Sequence, residues 1–363
     1  MSRGGVVFNG KFLTAPPSGV HRVAEELIKH TDQLLSEQGP PSRDWRLLCP
    51  RDAKRDLPLK VVQRRQVGHL TWQPWEQIEL PLLARDDLLV NLCNLAPLAG
   101  RPGITMIHDA QVFISPESYS SAFRAWYQFA LPRAGAKSVK ILTVSEFSRR
   151  QLAEYGIADF DRIEVIHNGV DHLDTFEPDN RIIQRLGLGG RPFAVGLANT
   201  QKHKNIAMLI DTFSRPEMSA MRLVLVGREG ADAFEARGLK IPPNVVFAGR
   251  VSDEEFKALF DHAVCLAFPS TTEGFGLPPL EAMVAGCPAV VAPCGALPEI
   301  CGDAALYVDA HDPIAWAQTL LALADAPQER LRLATLGRSQ AARFTWRSSA
   351  QRLKDIIEKT LEL

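Results

Sequence analysis

Short apolar runs recur along the chain, and stretches with helical spacing separate them. In the first half the runs are 5–8, 46–49, 60–63, 87–92, 104–107, 140–144 and 163–166. In the second half they are 193–197, 222–227, 244–249, 263–268, 288–292 and 305–308. They are rich in Val, Ile and Leu, and most do not alternate with polar residues. Runs of that kind suit parallel strands buried on both faces. Segments such as 20–35 and 145–156 repeat apolar residues with helical periodicity. Strand–helix alternation over the whole length predicts an α/β fold with parallel sheets.

One stretch, 171–190, breaks the rhythm. It is polar, contains Pro178 and ends in glycines. It predicts two Rossmann-like domains with a cleft between them, one over residues 1–175 and the other over 176–345. Residues 346–363 read as an amphipathic helix, with Leu353, Ile356, Ile357 and Leu361 on one face. That helix is expected to return to the first domain.

Charge and cysteine content narrow the partners. With a net charge of −1 over 363 residues, the chain offers no field for nucleic acid. The six cysteines form no C-x-x-C pair and read as reduced core thiols of a cytoplasmic protein. No apolar run approaches the ~18 residues that a spanning helix needs, and the N-terminus lacks the apolar region of a signal peptide.

The densest chemistry lies in "PSTTEGFGLPPLEAMVAG", where Glu273 and Glu281 flank two glycines and two prolines. A buried strand precedes it. A short helix follows, opened by proline and closed by Gly286. Glycines let backbone N–H groups approach a ligand, and a helix start favours phosphate. Carboxylates accept hydrogen bonds from vicinal hydroxyls. Phosphate beside hydroxyls describes a nucleotide-sugar.

The same stretch resembles the signature of the retaining family 4 glycosyltransferases of the GT-B fold. "SGVHR", "TMIHDAQVF", "LTVSEFSRRQL", "VIHNGVD", "NTQKHKNI", "VVFAGRVSDEEF" and "CGALPEICGDAALYVD" resemble the family's other motifs, in the family's order. The resemblance implies that Glu273 contacts the donor sugar and that Glu281 holds the ribose. The backbone of Phe275, Gly276 and Leu277 would face sugar and phosphate. Lys204 would neutralise the diphosphate leaving group. The family's usual upstream arginine is missing, and Lys202 stands as its substitute. Gly19 would pass under the diphosphate, with ordinary turn chemistry behind Ser18 as the alternative. His108 would reach the donor sugar, or else be a satisfied buried histidine. The turn at Arg250 and Val251 would read the base. Asp109 is expected to order its loop, and Ser145 to cap a helix.

"DFD" at 159–161 fits a metal-binding pattern of other sugar transferases. It has no companion ligand, so no essential metal or other cofactor is expected. The aromatic, basic segment 119–140 suits a membrane interface or a lipid-linked acceptor. Packing of its aromatics into the first domain is the favoured reading.

The expected activity is retaining transfer of a hexose from a nucleotide diphosphate-sugar, with GDP-mannose favoured over dTDP- or UDP-sugars such as a rhamnosyl donor. The expected acceptor is a glycan or a polyprenyl-diphosphate-linked oligosaccharide. The setting would be cytoplasmic, with peripheral contact at the inner membrane. A sugar-nucleotide epimerase, a phosphorylase and a binding protein without turnover are the alternatives.

Overall fold

A computed structural model describes residues 4–362. The chain forms two compact units. Unit 1 holds residues 4–116, 120–169 and 345–362, and unit 2 holds 117–119 and 170–344.

Unit 1 is built on seven parallel strands: β1 (Val6–Asn9), β2 (Trp45–Cys49), β3 (Gln63–Gln66), β4 (Leu88–Asn91), β5 (Ile104–Met106), β6 (Lys140–Thr143) and β7 (Ile163–Val165). Their order is 3-2-1-4-5-6-7. β1, β4 and β5 are buried at every position, as apolar runs covered on both faces require. Three long helices follow in sequence: α1 (Gly19–Glu37), α2 (Ser121–Lys137) and α3 (Glu146–Glu154). Ser145 caps α3 by accepting from the Ser148 N–H at 3.0 Å.

The third strand corrects the sequence reading. The apolar pair Val61–Val62 is not in it. Instead the buried Asp32 carboxylate accepts from the N–H groups of Lys60, Val61 and Val62 at 2.8, 2.8 and 2.7 Å. That cap holds the pair in a turn, so pairing with β2 starts at Gln63. The resulting edge strand, Gln-Arg-Arg-Gln, is polar and largely exposed.

Unit 2 has six parallel strands: β8 (Phe193–Leu197), β9 (Arg222–Val226), β10 (Val245–Gly249), β11 (Cys265–Phe268), β12 (Ala289–Val291) and β13 (Ala305–Tyr307). Their order is 10-9-8-11-12-13. Its main helices are α4 (Ile206–Phe213), α5 (Asp253–His262), α6 (Leu277–Val284), α7 (Pro313–Asp325) and α8 (Pro327–Ala341). Trp316, Phe213 and Phe234 anchor its core.

Apart from the short segment 117–119, the chain passes from unit 1 to unit 2 at Gly169–Val170, whereas the sequence reading places the boundary at 175. The short 3-10 turn Asp171–Thr175 packs on α6 and so goes with unit 2. After Phe344 the chain is again part of unit 1, where α9 (Trp346–Leu361) lies along α1. Leu353, Ile356 and Ile357 are buried there, and Arg347 pairs with Glu37 at 2.6 Å.

The aromatics of α2 do not form the core as favoured. The buried face of that helix is Ala130, Leu131, Ala134 and Gly135. Gly135 passes so close to the Ile157 backbone that a Cβ would strike it, and Phe123 and Phe129 are left exposed. No helix among the described residues is long and apolar enough to cross a membrane.

Candidate active site

Each sheet reverses its strand order once, between β1 and β4 in unit 1 and between β8 and β11 in unit 2. A crevice forms at the carboxyl ends of the strands that flank such a reversal. In unit 2 the loops leaving β8 and β11 carry Lys202, Lys204 and Glu273.

The β8 loop ends in a single 3-10 turn, Lys202–Lys204. Asn205 follows in the left-handed region with φ 56°. Asparagine tolerates that conformation because its short amide can bond locally. Its Nδ2 donates to the carbonyls of Pro269 at 3.1 Å and Ala310 at 2.6 Å, which ties the β8 loop to the end of β11. The Thr271 N–H donates to the His203 carbonyl at 2.8 Å and joins the two loops again.

That frame sets Lys204 Nζ 2.7 Å from Glu273 Oε1, with side-chain exposures of 21% and 11%. The ammonium also lies 5.9 Å over the Phe268 ring. Gly295, at φ +57°, passes behind Glu273 so closely that a Cβ would strike the Glu273 backbone. The next residue, Ala296, donates its N–H to the Glu273 carbonyl at 2.9 Å. His203 is buried beside Lys204. Burial, followed by the Lys204 charge, pulls its pKa down to about 4. Its Nδ1 lies 2.9 Å from Ser118 Oγ, and its ring stacks on Tyr119.

Glu281 sits on α6, and the Nε2 of the buried His172 is 3.5 Å from its Oε1. Phe275 points its ring inward, edge-on to Phe344 at 5.9 Å, so only its backbone can meet a ligand. Gly276, at φ +108°, turns the chain into α6. Pro278 and Pro279 carry no N–H, which leaves Leu277 and Leu280 as the donors of the first helical turn. Lys202 and Arg250 are exposed and Val251 is half-buried. The following Ser252 forms a capping box with Glu255, so the Arg250–Val251 turn is held at its exit.

Two predicted residues lie in unit 1. Gly19 opens α1 behind Ser18, whose Oγ accepts from the His21 N–H at 3.4 Å. A Cβ at Gly19 would meet nothing within 4 Å, so packing places no demand on it. His108 is buried at the end of β5, with Nε2 2.9 Å from the Leu92 carbonyl. A carbonyl only accepts, so Nε2 carries the proton and Nδ1 is left as an acceptor. Burial lowers its pKa to about 4, so the ring is neutral. Asp109 orders its loop by accepting from the Gln111 N–H at 3.0 Å.

The structure therefore brings Lys204 and Glu273 together, adds Asn205 and Gly295 to the residues that position them, and sets His172 beside Glu281. Sequence reasoning missed these three placements. Asn205 was visible only as the last letter of "HKN". Gly295 was visible only as the second letter of "CGALPEICGDAALYVD", and His172 carries no local signal, because its place comes from a contact distant in sequence.

Two family models match the chain. Residues 192–326 match "Glycosyl transferases group 1", and residues 84–172 match "Glycosyltransferase Family 4". The chain is thus similar to the family 4 glycosyltransferases over residues 84–172 and to the group 1 glycosyl transferases over residues 192–326. Its two Rossmann-like units are the GT-B fold. Among curated relatives, an O-antigen chain mannosyltransferase of Salmonella typhimurium is 28% identical over 64% of this chain and 63% of its own length. O-antigen chain mannosyltransferase B of Escherichia coli is 29% identical over 67% of this chain and 66% of its own. The chain thus spans just under two thirds of these relatives. A solved Anabaena protein, HepE in complex with UDP-glucose, superposes with a TM-score of 0.72 at 19% identity, over 99% of each chain. At that identity the likeness concerns the fold.

Proposed function

We propose that this protein transfers a hexose from a nucleotide diphosphate-sugar to a glycan or lipid-linked oligosaccharide, with retention of configuration. The observation that carries the reading is the Lys204–Glu273 pair at the β8/β11 reversal, beside the glycine loop that opens α6. In this reading the diphosphate sits against Lys204 and the N–H groups of residues 275–277. Glu273 accepts from the sugar hydroxyls, and Glu281 from the ribose. Gly19 passes near the phosphates, Lys202 adds a cation, and Arg250 and Val251 meet the base. His108, held neutral, offers Nδ1 to a sugar hydroxyl.

The C1–O bond to the diphosphate breaks as charge develops on the leaving oxygens, which Lys204 stabilises. The acceptor oxygen attacks C1 from the same face, and a diphosphate oxygen takes its proton. Positioning and charge stabilisation supply the rate, and the step as written needs no metal. Mannose from GDP-mannose is favoured because both O-antigen relatives are mannosyltransferases by name. The UDP-glucose bound to the Anabaena protein keeps UDP-sugars as the second reading.

The test is a calorimetric screen of GDP, UDP, dTDP and ADP and their sugars, with and without EDTA. Selective binding of one nucleotide, unchanged by EDTA and followed by transfer that Glu273→Ala abolishes, supports the assignment. No binding by any of them sinks it.

A further inference from the structure

The 3-10 turn that carries Lys204 is closed by Asn205, which ties its far end to β11. Its middle residue, His203, is held from elsewhere. Ser118 lies in 117–119, the short stretch that belongs to unit 2 although it comes early in the chain. It stands 85 residues from His203 in sequence.

Ser118 Oγ is 3.3 Å from the His203 backbone nitrogen and 2.9 Å from its Nδ1. A backbone N–H only donates, so Oγ accepts there and has its one proton left for Nδ1. Nδ1 is then an unprotonated acceptor. The surroundings favour that form. His203 is 4% exposed, and burial followed by the Lys204 charge disfavours the imidazolium. The Tyr119 ring stacks on the imidazole, with centroids 6.2 Å apart. The His203 carbonyl accepts from the Thr271 N–H at 2.8 Å. His203 is thus fixed through its N–H, its ring and its carbonyl.

An apolar side chain could fill the same space and pack on Tyr119. A buried histidine engaged at two points by one hydroxyl instead selects a single orientation of the turn. That orientation matters for the next residue. The Lys204 stem is flexible, and its ammonium must meet Glu273 2.7 Å away. A displacement of about 1 Å in a charged group at a reacting centre can cost about 10²-fold in rate.

We propose that Ser118 is a positioning residue for the donor diphosphate: through His203 it fixes the turn that presents Lys204. The transferase reading is needed only to name the diphosphate as the ligand.

The test has two readouts on the full chain. The first is calorimetry with GDP, UDP, dTDP and ADP and with the matching monophosphates. For the diphosphate that binds, Ser118→Ala and His203→Leu should each weaken binding about tenfold, with the monophosphate little changed. The double variant should lose no more than either single one. Ser118→Thr, which keeps the hydroxyl, and His203→Asn, which keeps an acceptor near Nδ1, should restore binding. The second readout needs no nucleotide. It is the Lys204 Cε resonance in lysine-labelled protein, assigned with Lys204→Arg, which should move in Ser118→Ala and return in Ser118→Thr. The proposal is overturned if Ser118→Ala leaves this resonance in place, if it binds the diphosphate like wild type, or if mono- and diphosphate affinities fall equally. A resonance that moves as expected in a protein that binds no nucleotide would leave the control of Lys204 by Ser118 standing and remove the transferase reading.

Discussion

Lys204 Nζ stands 2.7 Å from Glu273 Oε1. The cation proposed for the leaving group and the carboxylate proposed for the sugar therefore hold one another before either meets a ligand. Incoming diphosphate must share or replace this contact, so the two residues act as a unit. Glu273→Gln and Lys204→Ala should each lower kcat by about 10²–10³-fold. The double variant should lose much less than the product of the two. Lys204→Ala leaves a buried carboxylate unpaired and should cost about 1–3 kcal/mol in stability. Initial rates and denaturant melts of the three variants check this. Full additivity would show that the pair is not coupled.

Gly295 supports Glu273 from behind. Its φ of +57° disfavours a side chain, and a Cβ would meet the Glu273 backbone. Gly295→Ala should displace Glu273, with a destabilisation of about 1–3 kcal/mol and a loss of transfer close to that of Glu273→Ala. Gly19→Ala, where a Cβ meets nothing, should leave stability unchanged. A transfer defect at Gly19 with unchanged melting would then report on ligand contact alone.

His172 Nε2 lies 3.5 Å from Glu281 Oε1, beside the second carboxylate. If Glu281 reads the ribose, GDP should bind more tightly than 2′,3′-dideoxy-GDP. Glu281→Gln should remove most of that preference. His172→Ala should reduce it several-fold while the affinity for the dideoxy form changes little. Calorimetry on the paired nucleotides checks this. An equal loss for both forms would show that His172 only supports the fold.

Acid should destabilise the protein through two histidines. His108 and His203 have folded values near 4, lowered chiefly by burial from 6.5. Between those values the unfolded chain binds protons that the folded chain does not. Stability is therefore complete above pH 6.5, falls as pH drops toward 4 and levels below it. The contribution of His108 is about 3 kcal/mol over this interval. Melting temperature against pH should slope across the window, and His108→Asn should remove roughly half of that slope, leaving the share of His203.

Much of this fold was legible from periodicity. Thirteen apolar runs correspond to thirteen strands, because strands buried on both faces must be apolar throughout. β3 was the one displaced, since an edge strand tolerates polar residues and the Asp32 cap took the valines. α2 was misread because its aromatics look like core until Ala130, Ala134 and Gly135 are seen to be its buried face.

By itself the sequence determined the α/β class, the glycine–proline turn into α6 and the carboxylates and lysines around it. These are local properties, set by side-chain chemistry, φ preferences and spacing. Tertiary structure alone decided that Lys204 meets Glu273, that His172 faces Glu281, that Gly295 must lack a side chain and that Ser118 meets His203. Lys204 meets Glu273 because the loops of β8 and β11 adjoin at the reversal of strand order, and the other contacts likewise join segments far apart in the chain. A contact made between loops far apart in the chain leaves no trace in the residues on either side of it.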